Sequence, residues 1–329
     1  MGGIPVESRI ASPVINKKRS MYERLVTMGD SPWRKIARHW QLYLIILVPV
    51  IYVFIFSYIP MYGATLAFKE FYANKGIMGS PWVGFEYFER FLRTPSSGEI
   101  IGNTVIISLY SLLAGMPFPI ILAIALNEAK NKMVRKTVQM VTYAPYFIST
   151  VIMVALIMQW TDLRTGIMNQ IITLFGGKAL NLMGKAEYFR SMFVWTGVWQ
   201  FAGFNSIIYL ASLASVDQEL YEAATVDGAS KLQKIWFIDL PSILPTIIIL
   251  LILNSGQIMN VGFDKVYLMQ NNLNTSVSEV ISTYTYKIGL LQLDFSYSTA
   301  IGLFNSVVNF ALIIIVNLIS RKVGETSLW

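Results

Sequence analysis

The chain has 329 residues, 54% hydrophobic and only 14% charged, where a soluble domain carries roughly 25% charged residues. Its net charge of +7 rests on 26 basic and 19 acidic residues, and much of the excess lies beside apolar segments rather than on a polar, nucleic-acid-binding domain. Cysteine is absent and His39 is the single histidine, which excludes disulfides, thiolate chemistry, iron–sulfur clusters and multi-histidine metal centres.

In chain order, residues 1–40 read as a basic segment with Lys17, Lys18, Arg19, Arg24, Arg34, Lys35 and Arg38. The first apolar run begins near Gln41 and is too long for the brief apolar core of a secretory signal, so it is expected to be retained as a span. The stretch 22–40 fits either a short interfacial helix, with Trp33 and Trp40 at headgroup level, or a solvated basic tail. Six stretches without Asp, Glu, Lys or Arg follow, at 41–60, 101–126, 138–160, 192–214, 243–261 and 299–320. Each meets the length of about 20 helical residues that a bilayer core requires. The predicted fold class is therefore all-α, a polytopic membrane protein with six transmembrane helices. Pro117 and Pro119 predict a kink in the second span, while Pro49 and Pro145 interrupt the first and third. Outside, GSPWVGFEYFERFLRTP (79–95) predicts a turn and a short helix over 85–92 packed on the bundle. Tyr43, Tyr58, Trp160 and Tyr188, near span ends, suit interface anchors.

Orientation follows from the basic residues. With six spans both termini share one side, which holds 1–40, 127–137, 215–242 and 321–329. That side carries 16 Lys/Arg against 10 on the other, and the short loop with Lys130, Lys132, Arg135 and Lys136 weighs most. Both termini are thus expected in the cytoplasm. The implied organisation is an N-terminal segment (1–40), a first transmembrane helix (41–60), an extracytoplasmic segment (61–100), a core transmembrane domain (101–320) and a cytoplasmic tail (321–329).

The spans exclude several activities. Ionisable groups that could form a proton or ion relay are missing from them. The spans also lack the His or Cys that would hold a haem or an iron–sulfur cluster for electron transfer. There is no Walker A sequence either; Gly177 with Gly184–Lys185 has the wrong spacing and is followed by Ala186. Uphill movement would need energy from another chain. What the spans do carry is neutral: Gln200 and Asn205 in the fourth, Asn254, Ser255, Gln257 and Asn260 in the fifth, Asn305 and Asn309 in the sixth. The three-residue recurrence of Asn254, Gln257 and Asn260 predicts a shared helical face. Trp195, Trp199, Phe201, Phe204 and Tyr209 surround the fourth-span pair. Neutral hydrogen-bonding groups beside aromatic rings suit a sugar's hydroxyls and C–H faces; the same groups could instead hydrogen-bond between helices. The predicted solute path comprises Gln200, Phe201, Phe204, Asn205, Asn254, Ser255, Gln257 and Asn260. Any negative charge on the solute would have to be met by a partner subunit or by external arginines such as Arg90 or Arg93.

The loop at 215–242 is the most informative segment. Asp217 is a good N-cap, with Glu219 in the first turn; Leu220, Ala223 and Ala224 make a small-residue face; Asp227–Gly228 ends the helix. Ser230 can cap a second helix whose Leu232, Ile235 and Trp236 form an apolar stripe before Leu240–Pro241 turns the chain back. Such a hairpin fits a docking element for another subunit, or a brace on its own bundle.

These residues resemble the EAA loop of the membrane-spanning permease subunits of bacterial ABC importers. The pattern reads Glu222-Ala223-Ala224, Asp227-Gly228-Ala229, Ile238, Leu240-Pro241 and Pro245, with the usual midway Phe replaced around Ile235–Trp236. IPMYGATLAFKEF, SPWVGFEYF, NTVIISLYSLLAG, ALNEAKNKMVRKTVQMVTYAPYFIS and ISRKVGETSLW resemble the carbohydrate-uptake branch, especially its oligosaccharide and polysaccharide-fragment permeases. The resemblance implies a sugar permease in the bacterial cytoplasmic membrane, itself non-catalytic and without a cofactor. It further implies a second homologous permease, two ATPase subunits that bind ATP and Mg, and an extracytoplasmic solute-binding protein. Glu222, Ala223, Ala224, Asp227, Gly228 and Ala229 would couple to the ATPase, Glu222 pairing with its basic residues and Gly228 allowing the turn. A passive channel is the alternative, but rings of charge and a carbonyl filter sequence are missing. A membrane-embedded enzyme would need a nucleophile–base pair or a metal that this chain does not supply.

Overall fold

The structure, a computed structural model, describes residues 38–324. The predicted basic segment before Arg38 and the tail after Gly324 lie outside the described residues. The chain divides into two units, 1–63 and 64–329. Among the described residues the regular structure is helical, apart from one isolated bridge between Lys69 and Trp82.

In the first unit, α1 (Trp40–Val53) continues through a π turn at Phe54–Tyr58 into Ile59–Met61. Its side chains are exposed along the whole length, including those of Leu44, Leu47, Ile51 and Phe54. An uncharged helix exposed on every side is stable in lipid and not in water. The π turn closes with Ile59 N–H donating to the Phe54 carbonyl, immediately before Pro60. Proline has no N–H to continue the ladder and crowds the carbonyl four residues back, so a widened turn relieves it. The same device recurs at Ile235–Asp239, immediately before Leu240–Pro241.

In the second unit, a short outer helix α2 (Glu86–Arg93) precedes α3 (Ser97–Gly115) and α4 (Pro117–Glu128), which are separated by a one-residue break at Met116, just before Pro117 where the kink is predicted. Then come α5 (Lys132–Tyr143), α6 (Thr150–Thr161), α7 (Ile167–Leu174) and the long α8 (Ala186–Ala214). A hairpin of α9 (Gln218–Val226) and α10 (Lys231–Lys234) leads through the π turn into α11 (Leu240–Ser255). Three short helices, α12 (Phe263–Met269), α13 (Thr275–Ser278) and α14 (Ile281–Tyr286), connect to the last, α15 (Phe295–Gly324).

Helix α8 is the axis of this unit, packing on α3, α4, α5, α11 and α13, while α15 covers α11, α14 and α2. Ile107, Ile157, Phe193, Val198 and Val266 form one buried cluster; Phe91, Ile100, Met259, Tyr297 and Ile301 form a second. Ala123, Tyr209, Leu213 and Ile243 form a third. Helix α2 inserts Phe91 into the second cluster, and Arg90 binds Asp294 at 2.9 Å while lying 4.1 Å from the Tyr297 ring centre.

Among the described residues, four helical runs are long and apolar enough to cross a bilayer: Trp40–Phe68, Ser97–Glu128, Lys231–Ser255 and Phe295–Lys322. The other two predicted spans differ in instructive ways. The fourth is a single helix of 29 residues, about 43 Å long, whose Gln200, Asn205 and Ser206 lower its hydropathy. The third is not one straight helix. Its halves, Lys132–Phe147 and Thr150–Thr161, meet at 102°, the geometry of a broken span or a re-entrant loop. Pro145 lies in a 3₁₀ turn, Ile148 and Ser149 are extended, and the Ser149 hydroxyl accepts from Ile152 N–H to start α6 afresh. The Gln200 amide donates to the Ile148 carbonyl at 3.1 Å, so α8 satisfies a backbone group that the break exposes. The fifth predicted span, 243–261, is helical only to Ser255; a turn takes over at Gly256.

Candidate functional site

A cavity of about 470 Å³ lies among α3, α4, α8, α11 and α12, within the roughly 300–1,000 Å³ usual for small-molecule sites. Six of the eight residues predicted for the solute path border it: Gln200, Phe201, Asn205, Asn254, Gln257 and Asn260. Phe204 and Ser255 do not. Phe204 stacks on Tyr146 with ring centres 3.7 Å apart, and Ser255 is buried with its hydroxyl bonded to the Ile252 carbonyl at 2.7 Å.

Asn254, Gln257 and Asn260 come together without the shared helical face that their spacing predicts, because α11 has ended. In the turn beyond it, Asn260 donates to Gln257 Oε1 at 2.9 Å and accepts from Asn305 Nδ2 at 2.8 Å. Asn309 accepts from the Met259 N–H at 2.9 Å, capping backbone that the lost helix would have bonded. The sixth-span amides therefore hold the turn in place. Gln257 and Asn260 are exposed and keep further polar capacity free for a ligand, whereas Gln200 is buried with its amide N–H engaged.

The cavity also has two charged neighbours that span hydropathy could not find, Asp264 and Lys265 on α12. Asp264 is exposed, while Lys265 is buried. The Lys265 ammonium donates to the Phe193 carbonyl at 2.9 Å and lies 4.8 Å from the Phe193 ring centre. Burial lowers its pKa to about 8, so it remains mostly protonated at neutral pH.

The second feature is the hairpin at 215–242. Asp217 caps α9 by accepting from Glu219 N–H at 3.0 Å, and Ser230 with Gln233 forms a capping box on α10. Gly228 has φ +77°; its N–H donates to the Thr225 carbonyl and that of Ala229 to the Ala224 carbonyl. This is the αL-terminated helix end that favours glycine. Glu222, Ala223, Asp227 and Gly228 are exposed, with Ala224 and Ala229 half-buried. Leu220, Val226, Leu232, Trp236 and Phe237 are exposed around them, more apolar surface than a solvated hairpin would present. The hairpin is tied to the bundle by Tyr221, whose hydroxyl donates to the buried Asp239 carboxylate at the foot of α11. Burial and that carboxylate raise the Tyr221 pKa, so its hydroxyl remains a donor. The other Asp239 oxygen has no partner in the structure.

Residues 115–325 match the family model described as "Binding-protein-dependent transport system inner membrane component". The chain is 39% identical to "Protein LplB" of Bacillus subtilis (strain 168), covering 96% of this chain and 99% of that protein. It is also 39% identical to the "Polygalacturonan/rhamnogalacturonan transport system permease protein YteP" of the same organism, over 90% of this chain and 92% of the relative. Among solved structures, a chain of a bacterial ABC transporter involved in the import of the acidic polysaccharide alginate superposes with a TM-score of 0.82 and 38% identity, over 89% of this chain and 99% of that one. A chain of the bacterial alginate ABC transporter in complex with an alginate pentasaccharide-bound periplasmic protein gives a TM-score of 0.83 and 36% identity, over 91% and 100%.

Proposed function

The chain belongs to the family of binding-protein-dependent transport system inner membrane components, and on that footing we propose that it is the permease subunit of an ATP-driven importer carrying an oligosaccharide across the cytoplasmic membrane. The observation that carries the reading is an amide-lined cavity in the same unit as a projecting, apolar-surfaced hairpin. Neutral hydrogen-bonding groups suit a solute rich in hydroxyls. The hairpin suits contact with the subunits that hydrolyse ATP, which this chain, without a Walker A sequence, does not do itself. In this arrangement a second, homologous permease completes the path, two ATPase subunits bind ATP and Mg, and a solute-binding protein delivers the sugar from outside. The polygalacturonan/rhamnogalacturonan name of YteP and the alginate titles of the solved transporters support the substrate class, and the alginate transporter's periplasmic protein supports the delivering partner. The excess of basic residues supports cytoplasmic termini.

In this mechanism the path residues bind by hydrogen bonds and the hairpin transmits force. Gln257→Ala removes one donor–acceptor pair worth about 1 kcal/mol, so uptake efficiency should fall roughly fivefold with complex assembly intact. Gln200→Ala should lower uptake and, by leaving the half-buried Ile148 carbonyl without its donor, also the thermal stability of the detergent-purified complex. Wild-type uptake by both variants across all sugars tested would remove these residues from the path.

Tyr221 links the docking helix to α11, whose far end carries Asn254. Tyr221→Phe leaves both Asp239 oxygens buried without that donor. The expected result is ATPase subunits that still copurify but consume more ATP per sugar moved. An unchanged ATP-to-sugar ratio would assign Tyr221 to packing alone.

A further inference from the structure

The cavity wall holds a cation that the amide chemistry of the path does not use. Lys265 is 7% exposed, borders the cavity, and makes no salt bridge among the described residues. Its ammonium carries three donors, of which one meets the Phe193 carbonyl. A buried lysine without a counterion is costly, and such a group beside a solute path marks a place where an anion is received. The neighbouring charges do not neutralise it. Asp264 also borders the cavity but is exposed and forms no ion pair with Lys265. Of the external arginines, Arg90 pairs with Asp294 at 2.9 Å and Arg93 with Glu89 at 3.1 Å, and neither these two nor Arg164 and Arg190 border the cavity. Lys287 is likewise paired, with Glu279. Lys265 is therefore the cavity's own unpaired cation.

We propose that Lys265 receives a carboxylate of the transported sugar, so that the substrate class is an oligosaccharide containing uronic acid residues. The proposal rests on the permease reading above and deepens it. The carboxylate would take the ammonium's free donors, while Gln257, Asn254 and Asn260 serve the hydroxyls. A charge pair formed away from bulk water is stronger than its neutral counterparts, which makes the lysine a selector between charged and uncharged sugars.

The test uses the complete importer in proteoliposomes with two labelled probes, an oligogalacturonide and the same oligosaccharide with its carboxyls reduced to alcohols. Lys265→Met should cut uptake of the oligogalacturonide about tenfold or more while leaving the reduced probe within about twofold. Lys265→Arg, which keeps the charge, should retain preference for the oligogalacturonide. Equal losses for both probes in Lys265→Met, or no loss for either, overturn the proposal and leave the permease reading standing. Uptake of neither probe by an unaltered importer that accumulates another oligosaccharide overturns the proposal alone, and accumulation of no oligosaccharide overturns the permease reading as well.

Discussion

Glu222→Lys and Gly228→Val should each give a permease that inserts and pairs with its partner but no longer holds the ATPase subunits. Glu222 is exposed on α9 and followed by the small Ala223 and Ala224, so this side of α9 can enter a cleft closely. A carboxylate there accepts charge-assisted hydrogen bonds from a basic partner; a lysine would set cation against cation. Gly228 has open space around it, so a side chain there meets no clash; the obstacle is φ +77°. A β-branched residue in that region costs at least about 1–2 kcal/mol, more than aspartate or asparagine, which tolerate it better. The αL turn would open, and with it the angle between α9 and α10. Copurification of the ATPases and sugar-stimulated ATP hydrolysis measure the effect, and both should drop at least about tenfold for Glu222→Lys. Full binding and full uptake in both variants would make the hairpin a brace on its own bundle.

Gly203→Leu should be the most damaging single change within the bundle. Gly203 lies on α8 where α5 crosses, and a Cβ built there would overlap the Thr142 carbonyl oxygen and its carbon. Those are backbone atoms, so no rotamer change relieves the clash; α5 itself has to move. Small residues at helix crossings permit this close approach in membranes. Overpacking costs about 1–3 kcal/mol in ordinary cores, and a leucine against backbone belongs at or above the upper end. Ile148 follows α5 through the 3₁₀ turn, so the shift would also pull on its contact with Gln200 of α8. Thermal scanning of the purified complex should show a lower Tm and less assembled permease. A variant with wild-type Tm and yield would mean that α5 and α8 do not pack here.

The hairpin was legible because its rules are local. Asp217, Gly228 and Ser230 act on backbone within a few residues, and each does in the structure what its chemistry predicts. The apolar runs were legible for a similar reason, as was the interruption beside Pro117. What the sequence did not reveal depends on contacts between distant residues. The break after Phe147 is supported by Gln200 from 52 residues away, and no hydropathy window contains that partner. The turn that follows Ser255 is held by Asn309, which bonds Met259 from 50 residues away. Without Asn309 in view, an apolar run interrupted by Gly256 and Gln257 reads as continuing helix, and the Asn254–Asn260 spacing reads as one face. Lys265 was missed because it lies beyond the run, as one basic residue in a polar segment. Only folding brings it against Phe193, 72 residues earlier, and into the cavity wall.

The most direct measurement is oligosaccharide accumulation in proteoliposomes that contain this chain with its partner permease, both ATPases and the binding protein. Accumulation above the external concentration should occur with ATP on the ATPase side and stop when either ATP or the binding protein is withheld. Liposomes holding this chain alone should take up no sugar. Equilibration of the sugar across those liposomes without ATP would contradict the account and identify a passive channel.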